Sequence, residues 1–219
     1  MIGANDAARR NFITGHTALG NSVLVPEIKL HLATEITPLW HASEAFLEAN
    51  NISPPFWAFA WPGSEALARY VTDQPHIVAG CRVLDFAAGC GLAAIAAAKA
   101  GAAEVDGAEI DPLAWTAIAL NAEANACAVN VLAGDVVGEG CCWDVILCGD
   151  VCYEAPMTRH ILPWLRECAR TATVMIADPG RAYMPKDGIH ALERIDVPTS
   201  LELEDTRSRR VTLLALQPE

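Results

Sequence analysis

The sequence predicts an α/β domain built on a doubly wound, mostly parallel sheet, with helices on both faces and an antiparallel hairpin at the C-terminal end. Three observations predict it. From Cys81 onward, short apolar runs alternate with helical stretches, the pattern of a parallel sheet covered on both sides. The first run ends in a small-residue loop, Ala87-Ala88-Gly89-Cys90-Gly91, which opens a helix. The 219 residues, 53% of them hydrophobic, suffice for one sizeable core.

Residues 28–33 alternate apolar and polar side chains, which predicts a short strand, and 43–50 read as a helix. Residues 1–52 are therefore expected to form an N-terminal extension packed on a core domain at 53–219. The segment Ser53-Pro54-Pro55-Phe56-Trp57-Ala58-Phe59-Ala60-Trp61-Pro62-Gly63 combines turn formers with large rings and is placed to wall a pocket. Trp57 and Phe59 read first as core packing, since aromatic side chains dominate core burial. A helix is expected over 65–72. The spacing then predicts strands at 82–86, 104–108, 130–133, 145–148 and 173–177, and helices at 92–100, 112–125 and 157–170. Gly101 suits the end of the first of these helices and Pro112 the opening turn of the second. The closing hairpin is expected to pair 200–204 with 210–216, giving seven strands in a Rossmann-like sheet.

The formal charge of −12, from 27 acidic and 15 basic residues, is a poor basis for holding a phosphate backbone. Nucleic acid is not expected as the substrate, whereas a lysine-rich protein surface would be attracted. The eight cysteines include no Cys-x-x-Cys pair, which argues against a zinc site and fits a reducing compartment. MIGANDAARRNF lacks the apolar core of a signal peptide, and the alanine-rich run from Leu92 is short and interrupted by Lys99. A soluble, cytoplasmic protein with no membrane partner is expected.

The strand-to-loop segment Arg82-Val83-Leu84-Asp85-Phe86-Ala87-Ala88-Gly89-Cys90-Gly91-Leu92 decides the ligand class. Glycines let a ligand approach the backbone, and amides at the start of the next helix are expected to face the same space. A carboxylate at Asp85 repels a pyrophosphate but suits a ligand carrying an ammonium and a sulfonium, as S-adenosylmethionine does. Gly89-x-Gly91-x-x-Ala94 followed by Glu109 also fits a dinucleotide fingerprint, so that reading stays open, as does a glycine loop that only turns a corner.

Ligands of open α/β sheets bind beyond the carboxyl ends of the strands. Glu109, after the second core strand, is expected to accept ribose hydroxyls. Asp135, after the third, is expected to accept from the adenine amino group, with a turn role nearly as well supported. Asp111 before Pro112 reads as a helix cap. After the fourth strand, Gly149-Asp150-Val151-Cys152-Tyr153-Glu154 reads as the catalytic shelf, with Asp150 and Tyr153 carrying the chemistry. Methyl transfer is an in-line displacement that depends on holding the nucleophile in place. A lysine amine, with an ordinary pKa near ~10.4, must first lose its proton, which an apolar pocket favours.

At this point the residues resemble a known family, the electron-transfer flavoprotein β-subunit lysine methyltransferases among the seven-β-strand, class I methyltransferases. The resemblance spans nearly the whole chain. It is carried by residues 26–33, 55–63, 83–91, Glu109-Ile110-Asp111-Pro112, Gly149-Asp150-Val151-Cys152-Tyr153-Glu154 and Asp178-Pro179-Gly180-Arg181-Ala182-Tyr183-Met184-Pro185. It implies S-adenosylmethionine-dependent methylation of lysine in a protein, with the flavoprotein β subunit as leading substrate and ribosomal proteins as further ones. It also implies that Trp61, Asp85, Ala87, Gly89 and Gly91 line the cofactor, with Glu109 at the ribose and Asp150 and Tyr153 on the acceptor side. The chain departs from the family at Ala87, where glycine is usual, and at Cys90, where serine is usual. Arg181 is placed either to read a substrate carboxylate or to form a structural salt bridge. Two alternatives stay open: a nicotinamide-type small-molecule N-methyltransferase, and a cofactor-binding module without catalysis.

Overall fold

In the computed structural model, residues 5–34, 39, 53–199 and 204–218 are described. Helix α1 (Asp6–His16) leads into a two-stranded hairpin, β1 (Ala18–Asn21) and β2 (Lys29–Leu32). A 3₁₀ turn at Phe56–Ala58 precedes α2 (Pro62–Asp73). The core then runs β3 (Arg82–Phe86), α3 (Leu92–Lys99), β4 (Glu104–Glu109), α4 (Pro112–Ala124), β5 (Asn130–Ala133), β6 (Val145–Gly149), α5 (Ala155–Cys168), β7 (Thr173–Asp178), β8 (Ile189–Pro198) and β9 (Ser208–Leu216). The expected helix at 43–50 lies outside the described residues.

The main sheet has the order β5-β4-β3-β6-β7-β9-β8. Strands β3 to β7 are parallel, while β9 runs antiparallel to both β7 and β8. The strand order reverses between β3 and β6, and the crevice outside the carboxyl ends at such a switch point is where ligands of open sheets bind. The glycine loop follows β3 and the Asp150 shelf follows β6, so the two motifs flank that crevice.

The strands are apolar on both faces because both are covered. Val83, Val105, Val145, Leu147, Met175 and Ala177 share a core with α2 and α3. Leu84, Phe86, Ile146, Cys148, Val174 and Ile176 pack on the other side with Trp164 and Leu165 of α5. Helix α3 is buried on nearly all sides, which explains its alanine-rich sequence without a polar face.

Two parts of the chain depart from the sequence reading. The closing hairpin pairs β8 with β9 in a register running from Ile189↔Leu216 to Pro198↔Ser208, earlier than the expected first strand at 200–204, of which 200–203 lie outside the described residues. β8 is the sheet edge and carries His190, Glu193, Arg194 and Asp196 on largely exposed positions. Charged, exposed side chains suit an edge strand and remove the apolar run by which a strand is recognised. Helix α1 was not anticipated either: it buries only Phe12 and Ile13, and is fixed by an Asn5 cap on Ala8 and by Arg10 bridging to Glu123 of α4 at 2.6 Å.

The N-terminal hairpin is tied to the core through side chains. Asn121 and Asn125 of α4 accept from the His31 and Lys29 amides, so α4 stands in for a third strand along β2. Buried Glu65 of α2 accepts from Ser22 Oγ and the Val23 and Leu24 amides. Among the described residues no helix is long and apolar enough to cross a membrane.

Candidate active site

A cavity of about 790 Å³ opens at the carboxyl ends of β3, β4 and β6. This is within the roughly 300–1,000 Å³ range of small-molecule and cofactor sites. Ala87, Gly89, Glu109, Asp135 and Trp61 line one part of it, and Asp150, Tyr153 and Arg181 another. Of the residues singled out in the sequence, seven therefore share one cavity with Arg181; Asp85 and Gly91 do not lie on its wall.

The reason is local. Asp85 is 2% exposed and its Oδ2 accepts the Ala94 amide at 2.9 Å. Gly91, at the N-cap of α3 with φ +77°, has no side chain to cap the helix, and Asp85 supplies that acceptor from the end of β3. A side chain at Gly91 would also meet Ile118 at 3.2 Å. Burial pushes the Asp85 carboxyl up to about 8, with Glu109 adding to the rise and the Ala94 hydrogen bond opposing it. The Ala94 amide is thus donated to Asp85 inside the fold instead of facing a ligand.

The loop itself bends through left-handed backbone at Ala87 (φ +54°) and Gly89 (φ +54°). A glycine holds that conformation freely, whereas an alanine is strained by about 1 kcal/mol there. Cys90, the other departure from the family pattern, is buried with its thiol pushed up to about 12 by desolvation. It is a packed, inert group.

Glu109 ends β4 at the cavity wall. Its Oε1 accepts the Ile110 amide at 2.7 Å and its Oε2 the Gly89 amide at 3.1 Å, so one carboxylate ties the glycine loop to the next strand end. Burial raises it, and the amides of Ile110, Gly89 and Asp111 work against that rise. Asp111 caps α4 through the Leu113 amide, the role the sequence favoured. Asp135 accepts the Val137 amide at 2.9 Å and its Oδ2 lies 2.6 Å from His160 Nε2. Burial pushes Asp135 up, but Val137 and His160 outweigh it and hold the carboxyl below its ordinary range. His160, from α5, was not singled out in the sequence; an exposed histidine within a helix gives no signal of a partner so far away in the chain.

Asp150 is 7% exposed and sits at φ +59°, an uncommon backbone conformation for a residue with a side chain. Its Oδ2 accepts the Gly63 amide at 2.7 Å and its Oδ1 accepts Arg181 Nε at 2.7 Å. Gly63 is required for that approach, since a Cβ there would stand 2.6 Å from the Asp150 nitrogen and 2.7 Å from the Ala177 oxygen. Burial pushes Asp150 up, and Arg181 and the Gly63 amide offset only part of it. Arg181 thus takes the salt-bridge role of the two foreseen for it.

Four rings line the same cavity as Asp150. Phe56 lies 5.8 Å from Tyr153 and 5.9 Å from Trp61, centroid to centroid, and Phe59 packs on Trp61 at 5.9 Å. Trp61 Nε1 donates to the Phe56 carbonyl at 2.9 Å, which fixes its ring. Trp57 is buried and Phe59 half-buried in one core cluster, and both also border the cavity. Among the described residues, no cluster of three histidine, cysteine or acidic side chains could hold a metal.

The protein-family model of ribosomal protein L11 methyltransferase (PrmA) matches residues 66–152. The chain is 38% identical over 209 residues to an electron transfer flavoprotein beta subunit lysine methyltransferase from Danio rerio, covering 90% of this chain and 78% of that one. It is 38% identical to its Homo sapiens counterpart over 92% of this chain and 78% of the other. Among solved structures, it superposes on Trm5b from Pyrococcus abyssi with TM-score 0.55, at 15% identity over 88% of this chain and 54% of that one. It also superposes on magnesium protoporphyrin IX methyltransferase (ChlM) from Synechocystis PCC 6803 with bound SAM, with TM-score 0.52 at 19% identity over 70% and 78% of the two chains. These two likenesses show the class I methyltransferase fold. The chain belongs to the family of electron transfer flavoprotein β-subunit lysine methyltransferases.

Proposed function

We propose that this protein transfers a methyl group from S-adenosylmethionine to the side-chain nitrogen of lysine in the electron transfer flavoprotein β subunit. One observation carries the reading: a single cavity joins the glycine loop, Glu109 and Asp135 to the Asp150 shelf and its aromatic rings. The donor set fits such a cofactor. Above Gly89 a Cβ would find nothing nearer than 4.0 Å, and the Glu109 carboxylate borders the same space, ready to accept from hydroxyl groups. S-adenosylmethionine, when bound, supplies the electrophilic methyl on its sulfonium.

The remaining chemistry belongs to the side chains. Ala87, Gly89 and Trp61 wall the donor side, Glu109 holds the ribose and Asp135, steadied by His160, borders the adenine. Asp85 and Gly91 support the donor side from behind by fixing the start of α3. On the acceptor side Phe56, Trp61 and Tyr153 form an apolar surround in which an amine is held neutral. Asp150, already accepting from Gly63 and Arg181, has lone pairs left for an N–H of the incoming amine. It orients the nucleophile, and Tyr153 closes the pocket over it. Phe56 and Tyr153, 48% and 38% exposed, place apolar surface at the mouth, which favours a macromolecular acceptor over a nicotinamide-like molecule.

A net charge of −12 draws in a lysine-bearing partner and disfavours nucleic acid. A ribosomal protein is the second acceptor to test, on the strength of the match to the L11 methyltransferase model. Residues 1–52 act as an extension of the 53–219 domain, and the eight free cysteines suit a reducing compartment such as the cytoplasm.

The test is incubation with methyl-labelled donor and purified flavoprotein, read by mass spectrometry of lysine-containing peptides. Label on a β-subunit lysine is expected. Label on a ribosomal protein alone moves the substrate, and donor binding without transfer to any acceptor overturns the enzymatic reading.

A further inference from the structure

In the connection between β8 and β9, one described side chain reaches back to the site. Glu204, 4% exposed, accepts from Arg181 Nη2 at 2.7 Å through Oε1. Its Oε2 accepts from Arg209 Nε at 2.9 Å and from Arg181 Nη1 at 3.4 Å, and its carbonyl accepts from Arg209 Nη2 at 3.0 Å. Arg181 turns its Nε to Asp150 Oδ1 at 2.7 Å, while its backbone amide is held by the Asp178 carboxylate. Charges thus alternate along a chain of four groups, Asp150, Arg181, Glu204 and Arg209, ending at the cavity wall.

We propose that Glu204 is a positioning residue for methyl transfer: it fixes the guanidinium of Arg181, which in turn sets the orientation of the Asp150 carboxylate on the acceptor side. The inference rests on the acceptor-side reading of Asp150. Its physical content is a comparison of two arrangements. With Glu204 in place, the two Nη groups of Arg181 are engaged away from the cavity and only Nε meets Asp150. With Glu204 neutralised, the fork is free to rotate onto Asp150 with two donors, occupying the lone pairs that an amine needs. A buried ion pair is weak as a stabilising device compared with apolar packing, so stability alone is a poor reason for placing Glu204 here. The C-terminal hairpin, otherwise a sheet edge, thereby becomes part of the catalytic apparatus without touching substrate.

The experiment is a double-mutant cycle in kcat with methyl-labelled donor and purified flavoprotein, using the full chain and Glu204→Gln, Asp150→Asn and the double variant. Glu204→Gln is expected to lower kcat by about tenfold with donor affinity within about twofold. In the Asp150→Asn background the same change is expected to cost less than about twofold, because coupled residues are non-additive. Losses that multiply fully in the double variant, or an unchanged kcat in Glu204→Gln alone, overturn the proposal. Where Glu204→Gln does not fold, Glu204→Asp goes through the same cycle and is judged the same way. If Asp150→Asn keeps wild-type turnover, the acceptor-side reading of Asp150 fails and this proposal with it. An absence of transfer by the wild-type chain points instead to the wrong substrate and likewise removes the basis of the proposal.

Discussion

Asp85 and Asp150 invite comparison, because both are buried aspartates at the carboxyl ends of neighbouring strands beside the switch point. Their surroundings differ. Among the described residues Asp85 meets one backbone amide, nine residues away, and no cation, and burial pushes its carboxyl up to about 8. Asp150 meets an amide 87 residues away and a guanidinium from a third segment. The first is a helix cap made from a carboxyl group, whereas the second is a carboxyl held between an amide and a guanidinium at a cavity wall. Motif position alone does not distinguish them; the partners do.

The largest effect is expected where that difference is greatest. Asp150→Ala should reduce turnover by about 10³-fold while the dissociation constant for S-adenosylhomocysteine stays within about twofold, since the residue is assigned to the transition state alone. Labelled-methyl transfer and calorimetric titration read the two quantities. Equal losses in both would place Asp150 on the donor side and erase the contrast between the halves.

Glu109→Ala should act in the opposite sense. Losing a carboxylate that accepts from Gly89, and that is proposed to accept from the donor hydroxyls, is expected to weaken donor binding by about 30-fold, near 2 kcal/mol, with turnover at saturating donor largely kept. An unchanged dissociation constant would move the ribose contact elsewhere.

The same contrast explains what could be read in advance. The strands from β3 to β7 were legible almost to the residue, because a sheet covered on both faces demands continuous apolar runs, as in Val145-Ile146-Leu147-Cys148. Asp111 was legible as a cap because capping is local. Strand β8 was misplaced because an edge strand has no apolar run to announce it. Asp85 was given to the ligand because its partner, the Ala94 amide, is a backbone group that no side-chain pattern reports. Glu204 was missed because its meaning comes from Arg181 and Arg209, which only the folded hairpin brings together.

Asp85→Asn sharpens the comparison from the other side. An amide oxygen can still accept from Ala94, so donor affinity should change by less than about threefold, far from the loss expected at Glu109. The signature should be in stability. A carboxyl raised in the folded state stabilises fully below its unfolded value of 3.8, and that contribution fades as pH climbs through about 8, where the folded chain must ionise a buried acid. Asparagine has no proton to lose. Relative to wild type, the variant should melt higher at pH 8 by on the order of 5 °C, with the gap closing toward pH 4. A gap that widened toward low pH would mean that Asp85 is ionised in the folded protein and serves a cation after all.

The smallest effect is expected at Ala87. Left-handed backbone costs an alanine about 1 kcal/mol, yet glycine adds roughly 0.4–1 kcal/mol of freedom to the unfolded chain. The two nearly cancel, so Ala87→Gly should shift the melting temperature by no more than about 3 °C. Removing a methyl from the cavity wall should leave donor affinity within about threefold. A tenfold gain in affinity would show instead that the strained loop holds the donor side away from its best geometry. The donor half, like the acceptor half, would then owe its function to a conformation that its local sequence disfavours.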